Sequence, residues 1–247
     1  MTTTTRFNID TCSMLVEFNA SVWTARKLDK STTQEVIHNK NAAAKDAARV
    51  NKDLLAGRSE LDDVQKLVGV IRNYVYDNTL PWSDSGIRLL PTAKFIEFNE
   101  RMDQYEEEFT TTVNDFINIY PSLITAQAMA LGDMFKRDEY PTAGDIASRF
   151  AFRLNYMPVP TAGDFRVDVG NEAETYLRNK MQEFSEKRVE AAMADVRSRL
   201  QDQLDRLMKQ LRTEGGGKTK DGGEKMPKIY DSLIEGGIEL CDMLASL

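Results

Sequence analysis

Histidine, cysteine and long apolar runs are scarce in this 247-residue chain, and each shortage closes a class of function. One histidine, His38, cannot build a multi-histidine metal centre, and any Ser-His-Asp or Cys-His catalytic arrangement would have to use it. It falls on a predicted helix between Ile37 and Asn39, where a surface position is expected. The two cysteines, Cys12 and Cys241, lie near opposite ends of the chain with no Cys or His at metal-ligand spacing. They are expected to be free thiols in a reducing compartment. No stretch approaches the ~18 apolar residues of a membrane span. The threonine-rich residues 1–10 lack the apolar segment of a secretory signal. A cytoplasmic protein without membrane contact is therefore expected. With only 7 proline and 14 glycine, collagen-like and mucin-like classes are excluded, and the 41% hydrophobic content argues for a folded core. A net charge of −7 repels phosphate backbones unless the basic groups gather on one face.

Apolar residues recur at alternating steps of three and four through most of the chain, the helical period. Ser31, with Gln34 three residues on, reads as a capping start for a helix running to about Ala56, with Gly57 as its left-handed stop. The stripe Val36, Ala43, Ala47, Val50 and Leu54 would face inward. Ser59 caps a second predicted helix carrying Leu61, Val64, Val68, Ile71 and Val75, and the short link predicts an antiparallel helical hairpin. Ile87-Arg88-Leu89-Leu90 reads as a short strand before Pro91. Phe95, Phe98, Met102, Tyr105, Phe109, Val113, Phe116 and Tyr120 then define the strongest helix in the sequence. Pro121 is expected to break or sharply kink it, leaving a further helix over residues 122–136.

After Pro141 the period changes to two. Phe150, Phe152, Leu154 and Tyr156 alternate with polar or small residues, as do Phe165, Val167 and Val169 beyond a turn at Thr161-Ala162-Gly163-Asp164, which predicts a β-hairpin. Residues 171–213 are highly charged with a narrow apolar seam: Leu177, Met181, Phe184, Val189, Met193, Val196, Leu200, Leu204, Leu207 and Leu211. Such a seam reads as a coiled coil, folded on a helix of the same chain or paired with a second copy. A Gly-, Lys- and Asp-rich loop over residues 214–225 leads to a final amphipathic helix opened by Pro227, which could fold back onto the long one.

The chemical motifs are thin. Gly215-Gly216-Gly217-Lys218-Thr219 has the composition of a phosphate-binding loop, but Arg212 stands where the first glycine is required, and the segment follows a helix instead of a strand. It reads as a linker. Glu97, Glu100, Asp103, Glu106, Glu107 and Glu108 share a helix without the Glu-x-x-His pairs of a carboxylate-bridged metal site, so a solvated face is expected. Trp23 and Trp82 are expected to pack into the core. The basic end of the long helix and its loop offers Arg206, Lys209, Arg212, Lys218 and Lys220 as a candidate nucleic-acid contact, interrupted by Asp202, Asp205, Glu214 and Asp221. A carboxylate enzyme, with Asp84 beside Trp82 or an acidic face holding Mg²⁺, has no motif behind it.

Val22-Trp23-Thr24-Ala25-Arg26-Lys27-Leu28-Asp29 and the Ala-rich stretch after it resemble the opening of an uncharacterised family of helical proteins of tailed phages and bacteria. Asn78-Thr79-Leu80-Pro81-Trp82 and Arg88-Leu89-Leu90-Pro91 are similar to the segment that follows in the phage members. Members are sometimes encoded beside MoxR-like AAA+ ATPases, and no binding or catalytic residue carries over from the family. The resemblance implies a phage setting, host-cell cytoplasm and an accessory role.

The expected architecture is mainly α, a helical bundle with long coiled-coil helices and a small inserted β-hairpin. Its parts are a helical region over 1–140, the hairpin over 141–170, and a long helix, loop and final helix over 171–247. The expected function is a non-enzymatic phage-type structural or adaptor protein acting through helical interfaces, with no cofactor and no metal. Its partners would be further copies of itself and other proteins, an AAA+ ATPase among them. The candidate self-association seam is Leu177, Met181, Val189, Met193, Val196, Leu200, Leu204, Leu207 and Leu211. A nucleic-acid-handling protein that binds or protects DNA ends is the alternative.

Overall fold

Helices form at the stripes over residues 61–75 and 95–120, and strands form at Ile87–Pro91 and Ala151–Pro158, where the sequence reads as strand, and also where it does not. The computed structural model describes residues 9–44, 46–160, 171–214 and 231–245. Its elements run α1 (Ile9–Cys12), β1 (Ser13–Ser21), β2 (Arg26–Leu28), α2 (Lys30–Asn39), β3 (Asn51–Asp53), α3 (Glu60–Asn78), β4 (Leu80–Pro81), β5 (Ile87–Pro91), α4 (Phe95–Leu131), α5 (Ala143–Ala147), β6 (Ala151–Pro158), α6 (Asn171–Glu214) and α7 (Asp231–Ala245). The protein is mainly helical with a small antiparallel sheet.

The expected helix over 31–56 is corrected. α2 starts one residue earlier, capped by Asp29, whose carboxylate accepts from the Thr32 amide at 3.1 Å and the Ser31 hydroxyl at 2.7 Å. Those bonds to the charged form hold its pKa down at about 2. It ends at Asn39 because Asn41 takes the left-handed conformation at φ 50°, while the Asn41 and Ala42 amides bond back to the carbonyls of His38 and Ile37. This is the helix-stopping motif that Gly57 was expected to supply. α2 buries none of its side chains, so no packing energy carries the helix past that stop. Lys52 instead lies on β3, which pairs antiparallel with β2, and the helical hairpin does not form.

The helix at Pro121 is corrected as well. α4 continues through it to Leu131. Tyr120, Leu123 and Ile124 are all buried around the proline, and that packing offsets the single backbone bond it removes.

Four strands form one sheet in the order β4-β5-β1-β6. β1 runs antiparallel to β5, with Ser13 opposite Pro91 and Glu17 opposite Ile87, and β4 runs antiparallel to β5. β6 confirms the first strand of the expected hairpin, while Phe165, Val167 and Val169 lie outside the described residues.

Two compact units divide the chain, and both are discontinuous in sequence. The first comprises residues 1–18, 73–101 and 154–247. Leu15, Leu80, Trp82, Leu89, Ala192, Val196 and Met243 form its core. The second comprises residues 19–72 and 102–153. There the faces of α3 (Leu61, Val64, Val68) and α4 (Phe109, Val113, Phe116, Tyr120) close over Trp23, Leu54, Tyr140 and Ile146. Trp23 meets Tyr120 edge-on at 5.7 Å, and the Tyr140 hydroxyl donates to the Leu54 carbonyl at 2.9 Å. Lys52, 4% exposed, pairs with Glu139 and donates to the Met134 carbonyl at 2.7 Å, so its buried charge is compensated.

Candidate self-association surface

α6 has 44 residues, a span of roughly 66 Å at 1.5 Å per residue. Its sequence is helical by composition, free of Gly and Pro and laced with short-range ion pairs. Glu174 pairs with Arg178 at 2.8 Å, and Glu183 pairs with Lys180 at 3.3 Å and Lys187 at 2.8 Å. Each such exposed pair contributes only a few tenths of a kcal/mol, about 0.3–0.5. Packing must supply the rest, and it is unevenly distributed along the helix.

The middle of α6 is anchored. Ala192 and Val196 are buried, and Val189, Met193 and Leu200 pack around them in the core of the first unit. Two arginines fix this register by binding the C-terminal end of α3. Arg88 of β5 donates from Nε to the Thr79 hydroxyl at 2.6 Å, and from Nη2 to the carbonyls of Thr79 at 2.8 Å and Tyr76 at 3.3 Å. Arg199 of α6 reaches the same group of carbonyls: Tyr76 at 2.9 Å, Asp77 at 3.4 Å and Thr79 at 3.3 Å. Its Nε forms an ion pair with Asp195 at 2.8 Å, one turn back. Carbonyls at a helix C-terminus lack internal partners and carry partial negative charge, so cations suit them. Burial, then the nearby Arg199 cation, pulls the Arg88 pKa below its ordinary value. One turn before the anchored stretch, Arg188 lies over the rings of Phe184 at 3.7 Å and Trp82 at 5.4 Å. Trp82 is buried as expected, yet its indole N–H has no hydrogen-bond partner among the described residues.

α7 packs on α6, as the final helix was expected to do. Gly236 allows the approach: a Cβ there would stand 3.2 Å from the Gln203 amide nitrogen. Met243, seven residues on and thus on the same helical face, is buried. Ile234 and Ile238 flank Gly236 at two residues either side, on the face turned away from α6, and are about half exposed.

The predicted seam is not one surface. At roughly 100° per residue, Leu177, Met181 and Phe184 share a face, while Val189, Met193, Val196 and Leu200 share another roughly 120° around the helix. The step of five from Phe184 to Val189 makes the change. Only the second face meets the core. Leu177 and Met181 are partly buried, Tyr176 is 62% exposed and Phe184 is 54% exposed. Beyond the anchor, Leu207 is partly buried, whereas Leu204 and Met208 are exposed. The Leu211 side chain lies outside the described residues. Tyr176, Met208, Ile234 and Ile238 were missing from the seam. The five-residue step is the signal that would have split it.

No protein-family model, curated protein or solved structure matches the chain. Of the candidate nucleic-acid residues, Arg206 lines a cleft of about 360 Å³ together with Lys94, Arg199, Asp77, Asp202 and Glu239, three cations against three carboxylates. Lys209 is exposed, and the Arg212 side chain, Lys218 and Lys220 lie outside the described residues. His38, Asp84 and the acidic residues Glu97, Glu100, Asp103, Glu106, Glu107 and Glu108 are exposed. No group of three or more His, Cys, Asp or Glu placed to hold a metal occurs among the described residues. Cys12 and Cys241 form no disulfide with a described residue, and no described helix is long and apolar enough to cross a membrane.

Proposed function

We propose that the protein is a non-enzymatic, phage-type structural or adaptor protein that acts through helix faces and self-associates through the N-terminal part of α6. The observation that carries this reading is the apolar stripe of Tyr176, Leu177, Met181 and Phe184. None of these residues is buried, and the ion pairs of this stretch, Glu174 with Arg178 and Glu183 with Lys187, are exposed. An amphipathic stripe bounded by charges favours a second copy of the same helix, where apolar knobs meet and the charged flanks stay in water. Exposed Ile234 and Ile238 of α7, and Leu204 and Met208 of α6, offer further apolar side chains to a protein partner. The phage setting, host-cell cytoplasm and an AAA+ ATPase among the partners rest on the resemblance of residues 22–29, 78–82 and 88–91.

Sedimentation velocity over a hundredfold concentration range tests the proposal. A defined oligomer that the double substitution Tyr176→Ser, Phe184→Ser converts to monomer is the expected result. A wild-type monomer at every concentration would refute it.

A further inference from the structure

The second unit contains a cleft of about 310 Å³ that is lined by no residue of the candidate self-association surface. Its walls come from three segments: the turn after β1, the end of β3 with the turn that follows, and the first turns of α3. A volume near 300 Å³ stands at the small end of the range for ligand pockets.

Three features set this cleft apart. Trp23 lines it, and no group among the described residues bonds its indole N–H, which is open to the cleft. Ala25, in the same wall, holds the left-handed conformation at φ 53° although it is not glycine, and it is almost fully buried. Its carbonyl accepts from the Leu54 amide at 2.8 Å, which locks the turn. Strain of this sort survives where surrounding structure imposes it, and it clusters at ligand-binding turns. Finally, two guanidinium groups and two carboxylates line one small space without pairing. Among the described residues, the exposed Arg26 and Arg58 make no ion pair or side-chain hydrogen bond, and neither does the exposed Asp62. Asp53 spends one oxygen on the Leu55 amide at 3.0 Å and keeps the other.

An anion entering the cleft meets two carboxylates, and a cation meets two guanidinium groups. A molecule carrying both signs satisfies all four. We propose that the cleft binds a small zwitterion of amino-acid type with an apolar side chain. Its carboxylate accepts from Arg26, Arg58 and the Trp23 indole N–H, and its ammonium group faces Asp62 and Asp53. Its side chain lies against the partly exposed Val22 at the cleft wall. Guanidinium groups match a carboxylate through paired N–H donors, and charge-assisted bonds of this kind are the stronger sort. About a dozen heavy atoms fill a volume of this size.

Titration calorimetry on the full-length protein tests the proposal with three probes: L-phenylalanine, 3-phenylpropionate and phenethylamine. L-Phenylalanine should bind saturably below about 10 mM and shift tryptophan emission, and each single-charge probe should bind at least about tenfold more weakly. Arg26→Gln with Arg58→Gln should weaken L-phenylalanine at least about tenfold with the circular dichroism spectrum unchanged. Asp62→Asn, an exposed position that tests the other pole, should weaken L-phenylalanine and leave 3-phenylpropionate unchanged. No saturable binding of L-phenylalanine, equal affinity for 3-phenylpropionate, or full binding by the arginine variant would each overturn the proposal. None of these outcomes depends on the oligomeric state.

Discussion

Replacing Arg88 and Arg199 together should cost more than the sum of the two single changes. Each carbonyl of Tyr76 and Thr79 accepts from both guanidinium groups, so either arginine alone leaves both carbonyls bonded. A hydrogen bond to a charged donor contributes about 1.5–3 kcal/mol, and a buried acceptor left unmade costs about 1–3 kcal/mol. Arg88→Met loses the bond to the Thr79 hydroxyl, which still donates to the Val75 carbonyl, and it relieves repulsion from Arg199. It should therefore destabilise the first unit by only about 2 kcal/mol. Arg199→Met should cost about the same, since one turn of α6 loses its attachment while Arg88 keeps two of the three carbonyls. The double variant strips all three, Asp77 included, and the coupling should reach at least about 1 kcal/mol beyond additivity. Urea unfolding followed by Trp82 fluorescence in a Trp23→Phe background reads the first unit alone, because Trp82 belongs to that unit and Trp23 to the other. Additive losses, or a double variant no weaker than Arg88→Met, would refute the shared-carbonyl argument.

Glycines 236 and 237 sit side by side inside α7 but should respond differently to alanine. Gly237→Ala meets nothing within 4 Å and should stabilise by about 0.5–1 kcal/mol. Gly236→Ala should gain less because Gln203 must give way, and equal gains in thermal melts would contradict the close approach. Burial raises the phenol pKa of both Tyr120 and Tyr140 to about 12. These raised values mean that the second unit keeps their stabilisation below pH 10 and loses it as pH climbs toward 12. Absorbance at alkaline pH should show two phenols ionising late together with unfolding, and titration of all the tyrosines near pH 10 in the folded protein would contradict the burial.

The sequence disclosed its helices most clearly where one face is deeply buried. Phe98, Met102, Tyr105, Phe109 and Val113 keep the helical step because one side of α4 meets core throughout, and α3 is legible for the same reason. β5 showed itself as a short apolar run before proline. β1 did not, because Leu15 and Val16 are both buried, and a strand covered on both faces loses its alternation. β2 and β3 span three residues each, too few for any period. The early stop of α2 turned on one asparagine accepting a left-handed backbone, which no stripe reveals. The division into discontinuous units was equally silent, since it depends on which distant segments meet. At the candidate surface the residues were legible but their grouping was not: a list of apolar positions hides the phase change between Phe184 and Val189.

Disulfide cross-linking at the centre of the exposed stripe tests the central claim most directly. In a Cys12→Ser, Cys241→Ser background, Met181→Cys places a thiol midway between Leu177 and Phe184, where two copies of the helix bring it near itself whether they run parallel or antiparallel. Glu186→Cys places one on the opposite, exposed side of α6. Under mild oxidation, self-association through this face predicts covalent dimers from Met181→Cys and few from Glu186→Cys. Equal yields from the two positions, or no dimer from either, would contradict it.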